Sequence, residues 1–166
     1  MNRLELAVEQ IVSARRYTVA LLAEIDERDW FRMPAEGVSH IAWQVGHLAM
    51  AEYRLALERI RGYRTEDEQL ISGDFLGLFG RDSVPVADPS HYPAPAELRR
   101  VFDRVHQQVQ YDLLTVADAD LDLPPHKPHR LYNTRYHSLV WCCQHEMLHA
   151  GQIGLLRRLL GAKPVW

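Results

Sequence analysis

Cysteine is scarce in this sequence of 166 residues. The only two cysteines, Cys142 and Cys143, are adjacent. Neighbouring residues on a helix point about 100° apart, so we expect no disulfide between them. The sequence also lacks a C-x-x-C motif of the redox or zinc-binding type. Cys142 is expected to pack in the core, and a role as an auxiliary ligand or redox residue stays open.

Clustered positive charge is lacking as well. Lys127 and Lys163 are the only lysines, the arginines are scattered among acidic residues, and the formal net charge is −3. This distribution is typical of solvated helix faces and argues against a nucleic-acid-binding surface. We expect a small molecule as the partner instead.

Long apolar runs are also missing. No run approaches the roughly 18 apolar residues that a membrane span needs. The N-terminus, Met1-Asn2-Arg3-Leu4-Glu5, lacks the apolar core of a signal peptide. We therefore expect a cytoplasmic protein without a membrane segment. The length and the apolar content of 47% suit a single domain over residues 1–166.

Apolar residues recur with helical spacing in four segments, and no strand-type alternation of any length occurs. The pattern predicts helices over Asn2 to about Arg28, Ser39 (as N-cap) to Arg61, Pro95 to about Val116, and Arg135 to Leu160. Thr134 is the expected N-cap of the last helix, and Gly161 and Pro164 are its expected stops. Residues 63–94 are broken by glycines and prolines, and Phe75, Phe79 and Tyr92 are expected to pack this connection down. The fold predicted is all-α, a four-helix bundle with one long crossover between helices 2 and 3.

Two histidines in the last helix share one face. His145 and His149 are four residues apart, hence about 40° apart around a helix and about 6 Å along it. On a helical wheel zeroed at Trp141 they fall near 40° and 80°. The apolar stripe predicted for this helix spans about −20° to 120° and contains Leu148, Ile153, Leu156, Leu159 and Leu160. Both imidazoles are therefore expected to point inward.

A third histidine, His47, lies on the inward stripe of the second helix, with the small residue Ala51 one turn further on. Bundle cores build metal sites from inward side chains on facing helices, so we expect His47, His145 and His149 to bind one divalent metal. Three neutral imidazoles suit zinc or nickel and leave a position open for water or substrate. A metal there can lower the pKa of water to about 7 or hold a thiol as thiolate.

The other histidines are expected outside this site. His40 lies two turns before His47, about 10 Å away, and is expected at a pocket rim or in solvent. His106 is expected at the boundary of the third helix's apolar stripe, with a role as a fourth ligand left open, and His126 and His129 are expected on the surface.

The segment His145-Glu146-Met147-Leu148-His149 also matches the H-E-x-x-H motif of zinc peptidases. Those enzymes take a third ligand C-terminal to the motif, and residues 150–166 contain no His, Asp or Glu, which argues against a peptidase. Glu146 lies about 60–100° off the ligand face and is either solvated or hydrogen-bonded near the site; it is the candidate for a catalytic acid or base. Arg54 and Gln152 are candidates for contact with an anionic substrate.

Two segments together resemble a known family. Trp43-Gln44-Val45-Gly46-His47-Leu48-Ala49 and His145-Glu146-Met147-Leu148-His149-Ala150-Gly151-Gln152-Ile153 are similar to the DinB/YfiT-like superfamily, in particular its DinB-like subgroup, which carries H-x-x-x-H-x-G-Q-I. The resemblance implies a four-helix bundle, often dimeric, with a divalent metal held at the positions of His47, His145 and His149. Similar members include S-transferases and isomerases that use a low-molecular-weight thiol.

The function hypothesis is a zinc- or nickel-dependent cytosolic enzyme, expected as a homodimer, that transfers a low-molecular-weight thiol as co-substrate to an electrophile. Three alternatives stay open: a metal-dependent hydrolase, a non-enzymatic metal-binding or stress-response module, and a plain bundle whose buried histidines are hydrogen-bonded.

Overall fold

A computed structural model of the protein describes residues 1–163 and residue 165. These residues form six helices and no strand, and the helices pack as the bundle that the sequence predicted. In chain order the helices are α1 (Arg3–Leu22), α2 (Ile41–Glu52, continued by a π-helical segment Tyr53–Glu58 and a last turn Arg59–Arg61), α3 (Asp67–Leu70), α4 (Gly73–Leu78), α5 (Pro95–Leu113) and α6 (Arg135–Leu159). None of the helices within this described part is long and apolar enough to cross a membrane. Pro164, an expected stop of the last helix, lies outside the described residues.

Helix α1 starts as predicted but ends earlier. Asn2 caps it in a capping box with Glu5. The expected end near Arg28 is wrong, because the Asp26 carboxylate accepts the backbone N–H of Arg28 (2.9 Å) and begins a separate 3₁₀ turn. That turn redirects the chain and brings Trp30 into the core, where it is 0% exposed.

His40, and not Ser39, caps helix α2. The His40 ring accepts the backbone N–H of Trp43 at Nδ1 (3.1 Å) and donates from Nε2 to the carbonyl of Val86 (3.0 Å). The crossover covers this helix start, so the rim or solvent position expected for His40 is wrong: the side chain is fully buried. Gly62, with φ of 83°, ends the helix as predicted.

The crossover is packed down by the three aromatic residues that the sequence singled out. Phe75, Phe79 and Tyr92 are all buried, and the rings of Phe79 and Tyr92 stack with centroids 5.7 Å apart. Helices α3 and α4 lie in this connection. Helix α5 then begins at Pro95 as predicted and ends at Leu113, three residues before the expected Val116.

The inward face of α6 differs from the predicted one. On the wheel zeroed at Trp141, its buried side chains span about 60° to 180°; they are Ser138, Leu139, Cys142, Glu146, His149, Ala150, Ile153, Leu156 and Arg157. Leu148 and Leu159, expected inside, are 59% and 50% exposed. Buried polar residues occupy part of the core face. The apolar residues alone therefore placed the inward face of the helix about 60° away from its position in the structure.

A buried ionic network joins all four long helices. Arg15 of α1 is 4% exposed and pairs with Glu52 of α2 (2.6 Å) and Glu146 of α6 (2.7 Å). Its Nη1 also donates to the carbonyl of Phe102 (2.9 Å). His106 has the boundary position predicted for it and contacts Glu52 through Nδ1 (2.6 Å). Each buried carboxylate thus has the Arg15 guanidinium as a partner inside the bundle.

Candidate metal centre

Three histidines from two helices meet in the bundle. His47 comes from α2, and His145 and His149 come from α6. One ring nitrogen from each lies within 4.8 Å of the others, and the Nε2 atoms of His47 and His145 are 3.4 Å apart. We call these residues the three-histidine cluster. The structure thus brings together the three side chains that the sequence selected.

Hydrogen bonds fix two of the rings with Nε2 turned to the cluster. His47 donates from Nδ1 to the carbonyl of Phe79 (2.9 Å), and His149 donates from Nδ1 to Oε1 of Gln44 (2.6 Å). A neutral imidazole that donates from Nδ1 has a free lone pair on Nε2. Metal-binding histidines commonly have such a partner on the second nitrogen, which sets both tautomer and orientation.

Local sequence explains why Phe79 can reach His47. A Cβ atom at Gly46 would overlap the ring of Phe79, so glycine lets the crossover lie directly on α2. On the other side, the indole of Trp43 stacks on the His47 ring at 4.6 Å and 14°. The Trp43 N–H donates to Ser83 Oγ of the crossover (3.0 Å). The His47 ring is therefore held on both sides.

The environment keeps the cluster neutral. Burial lowers the pKa of His47, and the positive charge of Arg54 lowers it further. Burial, followed by repulsion from His47, lowers the pKa of His145 to about 4. Burial, followed by repulsion from His145 and His47, lowers the pKa of His149 to about 3. Neutral imidazole is the form that coordinates a metal.

The donor set fits a divalent metal. Three imidazole nitrogens at about 2.0–2.1 Å from a tetrahedral zinc ion would lie about 3.3 Å from one another. The 3.4 Å between His47 and His145 already matches this value, and the limit of 4.8 Å leaves the remaining pairs within about 1.5 Å of it. His47, His145 and His149 could therefore hold one ion.

An open cleft of about 470 Å³ lies beside the cluster. His47 and His145 form part of its wall. We call it the arginine cleft; its lining comprises His47, Met50, Ala51, Arg54, Leu55, Arg59, Arg81, His129, Arg130, Leu131, Trp141 and His145. Its size suits a small molecule.

The two predicted substrate contacts lie in different places. Arg54 lines the arginine cleft. Gln152 instead accepts at Oε1 the side-chain N–H of Gln44 (2.8 Å), which in turn binds His149. Gln152 therefore contacts the cluster only indirectly, through Gln44, and it does not line the arginine cleft.

Glu146 and Cys142 lie in the core. Glu146 is 2% exposed and pairs with Arg15, so the solvated position considered for it is wrong. A role as acid or base would require this carboxylate to leave the ionic network. Cys142 is buried as expected, and burial raises the pKa of its thiol well above the usual value, which favours the protonated, packing form.

The two loop histidines differ from each other. His126 is exposed, as predicted. His129 is partly buried, stacks on Tyr132 with centroids 4.2 Å apart and lines the arginine cleft, so its expected surface position is only partly right.

Sequence reasoning missed two contributors. Gln44 is 0% exposed and orients His149; on the wheel it lies about 60° from His47, so a polar residue on an inward face was the available signal. Arg59 lies about 120° from His47 on an ideal α-helix. The π-helical segment before it changes that angle, and the sequence gives no sign of this segment.

Comparisons with known proteins agree with this architecture. The family model described as the DinB superfamily matches residues 10–153. A crystal structure of a conserved protein from Enterococcus faecalis superimposes with a TM-score of 0.72 and 17% identity, over 96% of this chain and 97% of the other. That likeness concerns the fold. No protein of curated function shows significant sequence similarity to the chain.

Proposed function

Because the chain belongs to the DinB superfamily, we propose that it is a metal-dependent enzyme whose three-histidine cluster holds a divalent metal, zinc or nickel, next to its substrate. We propose further that it transfers a low-molecular-weight thiol to a small electrophile. The observation that carries this proposal is the opening of the cluster, through His47 and His145, into a cleft large enough for a small molecule. A structural site would be expected to be closed on all sides.

A bound divalent metal would supply Lewis acidity, which lowers the pKa of a thiol at the open position. The protein's own part is positional. The carbonyl of Phe79 and the amide of Gln44 aim two imidazoles, and stacking on Trp43 restrains the His47 ring. Because the imidazole rings are already held in position, they need not reorganise during the reaction.

In the proposed transfer, the thiol sulfur forms a bond to the electrophilic carbon while the bond from that carbon to its leaving group breaks. The sulfur supplies the electron pair, the leaving group departs with the pair of the broken bond, and the thiol proton passes to solvent. No oxidant or reductant is needed. The apolar wall formed by Met50, Leu55 and Trp141 would accommodate the carbon skeleton of the electrophile.

The hydrolase and the non-enzymatic alternatives receive less support. A hydrolase of the H-E-x-x-H type needs the glutamate as a general base, and Glu146 pairs with Arg15 instead. A pure metal-binding or structural module does not explain why a cleft adjoins the cluster.

Two measurements on tag-free protein test the proposal. Metal analysis should give one zinc or nickel per chain in the wild type, and His149→Ala should remove it. A screen of thiols against chloro-dinitrobenzene should show turnover that His47→Ala abolishes. Stoichiometric metal in His149→Ala would refute the site, and a metal-loaded protein without thiol turnover would refute the transferase.

A further inference from the structure

The arginine cleft concentrates positive charge in a protein whose net charge is −3. Four arginines line it: Arg54, Arg59, Arg81 and Arg130. Among residues 1–163 and 165, none of the four lies within 4.0 Å of a carboxylate oxygen. Elsewhere the opposite holds: Arg15 and Arg61 each pair with two carboxylates.

The backbone of α2 brings two of these arginines together. In an α-helix, residues five apart lie about 140° apart around the axis. Within the π-helical segment the backbone N–H of Arg59 reaches the carbonyl of Arg54, five residues earlier, and both side chains line the same cleft. The Arg59 guanidinium also donates from Nη1 to that carbonyl (3.2 Å).

Arg59 has donor capacity to spare. Its Nε–H is buried and has no hydrogen-bond partner in the described structure. A buried donor without a partner is costly, by about 1–3 kcal/mol, and is uncommon in folded proteins. Guanidinium groups match carboxylate and phosphate oxygens because their donors form a planar fork.

The potential inside the cleft agrees with this geometry. Burial lowers the pKa of His129, and the charges of Arg59, Arg130 and Arg81 lower it further. The neutral His129 ring adds no charge of its own; its Nδ1 accepts the backbone N–H of Leu131 (3.2 Å), which leaves the Nε2–H as a donor. The positive field would attract anions into the cleft.

We infer that the molecule bound in the arginine cleft is a small dianion, which carries two carboxylates or one phosphate. Arg54 and Arg59 hold its charged end, while its reactive group faces His47 and His145. This inference rests on the proposed function and deepens it, since it assigns the thiol co-substrate to the class of thiols that bear two negative charges. A single negative charge would leave most of the cationic lining uncompensated.

Binding to the zinc-loaded protein tests the charge requirement. Calorimetry at one fixed ionic strength compares succinate and glycerol 3-phosphate with acetate. We expect at least one dianion to bind tenfold or more tightly than acetate, and Arg54→Gln and Arg59→Gln each to weaken it about tenfold, as for loss of a hydrogen bond to a charged group. Arg16→Gln, an exposed arginine of α1, is the matched control and should change nothing.

Two further variants protect this test. Arg81 is exposed at the cleft, so Arg81→Gln should fold even if Arg59→Gln does not. It should weaken binding of the dianion severalfold. Dianion binding should also persist in metal-free His149→Ala, which separates the arginines from direct binding to the metal. The inference is overturned if dianions bind no better than acetate, or if the arginine variants match Arg16→Gln.

Kinetics distinguish this inference from the proposed function. With chloro-dinitrobenzene as electrophile, Arg54→Gln should raise the KM for mercaptosuccinate about tenfold and leave that for neutral 2-mercaptoethanol unchanged. Turnover without this charge preference would overturn the inference and retain the transferase. If dianion binding depends on the arginines but no thiol is turned over, the anion site is supported and the transferase proposal is overturned.

Discussion

Gln44 is the residue whose replacement tests the design of the metal centre most specifically. It is fully buried, accepts from His149 Nδ1 at 2.6 Å and donates to Gln152 at 2.8 Å. Gln44→Leu keeps the approximate volume but removes both hydrogen bonds. Loss of such a partner typically weakens metal binding 10- to 100-fold, or about 1.4–2.7 kcal/mol. The His149 N–H left buried without an acceptor should also lower the free energy of unfolding of the metal-free protein by about 1–3 kcal/mol.

Competition with a chromophoric chelator measures the zinc affinity of each variant. Gln144→Leu, at an exposed position of α6 next to His145, is the matched control and should bind zinc as the wild type does. Gln44→Glu retains an acceptor for His149 and should recover most of the affinity. If Gln44→Leu binds zinc as tightly as Gln144→Leu, the hydrogen bond to His149 does not support the site, and the reasoning fails.

Three further predictions concern stability. Arg15→Ala leaves buried Glu146 without an ionic partner and Glu52 with His106 alone, and it should cost about 3–5 kcal/mol in urea unfolding, against little for exposed Arg16→Ala; equal losses would contradict the role of the network. Gly46→Ala places a methyl group where the Phe79 ring lies and should cost about 1–3 kcal/mol and weaken zinc binding, whereas Gly151→Ala, whose Cβ meets open space, should do neither. Metal-free protein should lose stability as the pH falls from about 6.5 towards 4, because the lowered histidine pKa values of the cluster let the unfolded chain bind more protons in that range, at about 1.4 kcal/mol for each unit of pKa difference. Urea midpoints that stay constant over this range would contradict the last prediction.

The number and order of the long helices followed from the sequence because a 3.6-residue apolar rhythm reports directly on burial. The ends of the helices could not be predicted as well. The end of α1 depends on Asp26, which starts a new turn, and the start of α2 depends on His40, whose ring acts as a cap once the crossover supplies the Val86 carbonyl. Such ends are decided by partners distant in sequence, which a local pattern does not contain.

The same limit applies to the site. Spacing was enough to select His145 and His149, since both sit near one edge of the buried face. Glu146 could not be placed from its own helix, because its burial depends on Arg15, 131 residues earlier. Arg59 entered the cleft only through the π-helical segment. The homodimer and the cytoplasmic location expected from the sequence stay predictions.

An anomalous difference map from crystals of tag-free protein, recorded at the zinc and nickel edges, tests the shared metal most directly. We expect one peak at about 2.0–2.2 Å from an Nε2 atom of each of His47, His145 and His149. A map without a peak among these three rings, from protein whose metal content is stoichiometric, would contradict the assignment of the cluster as the metal centre.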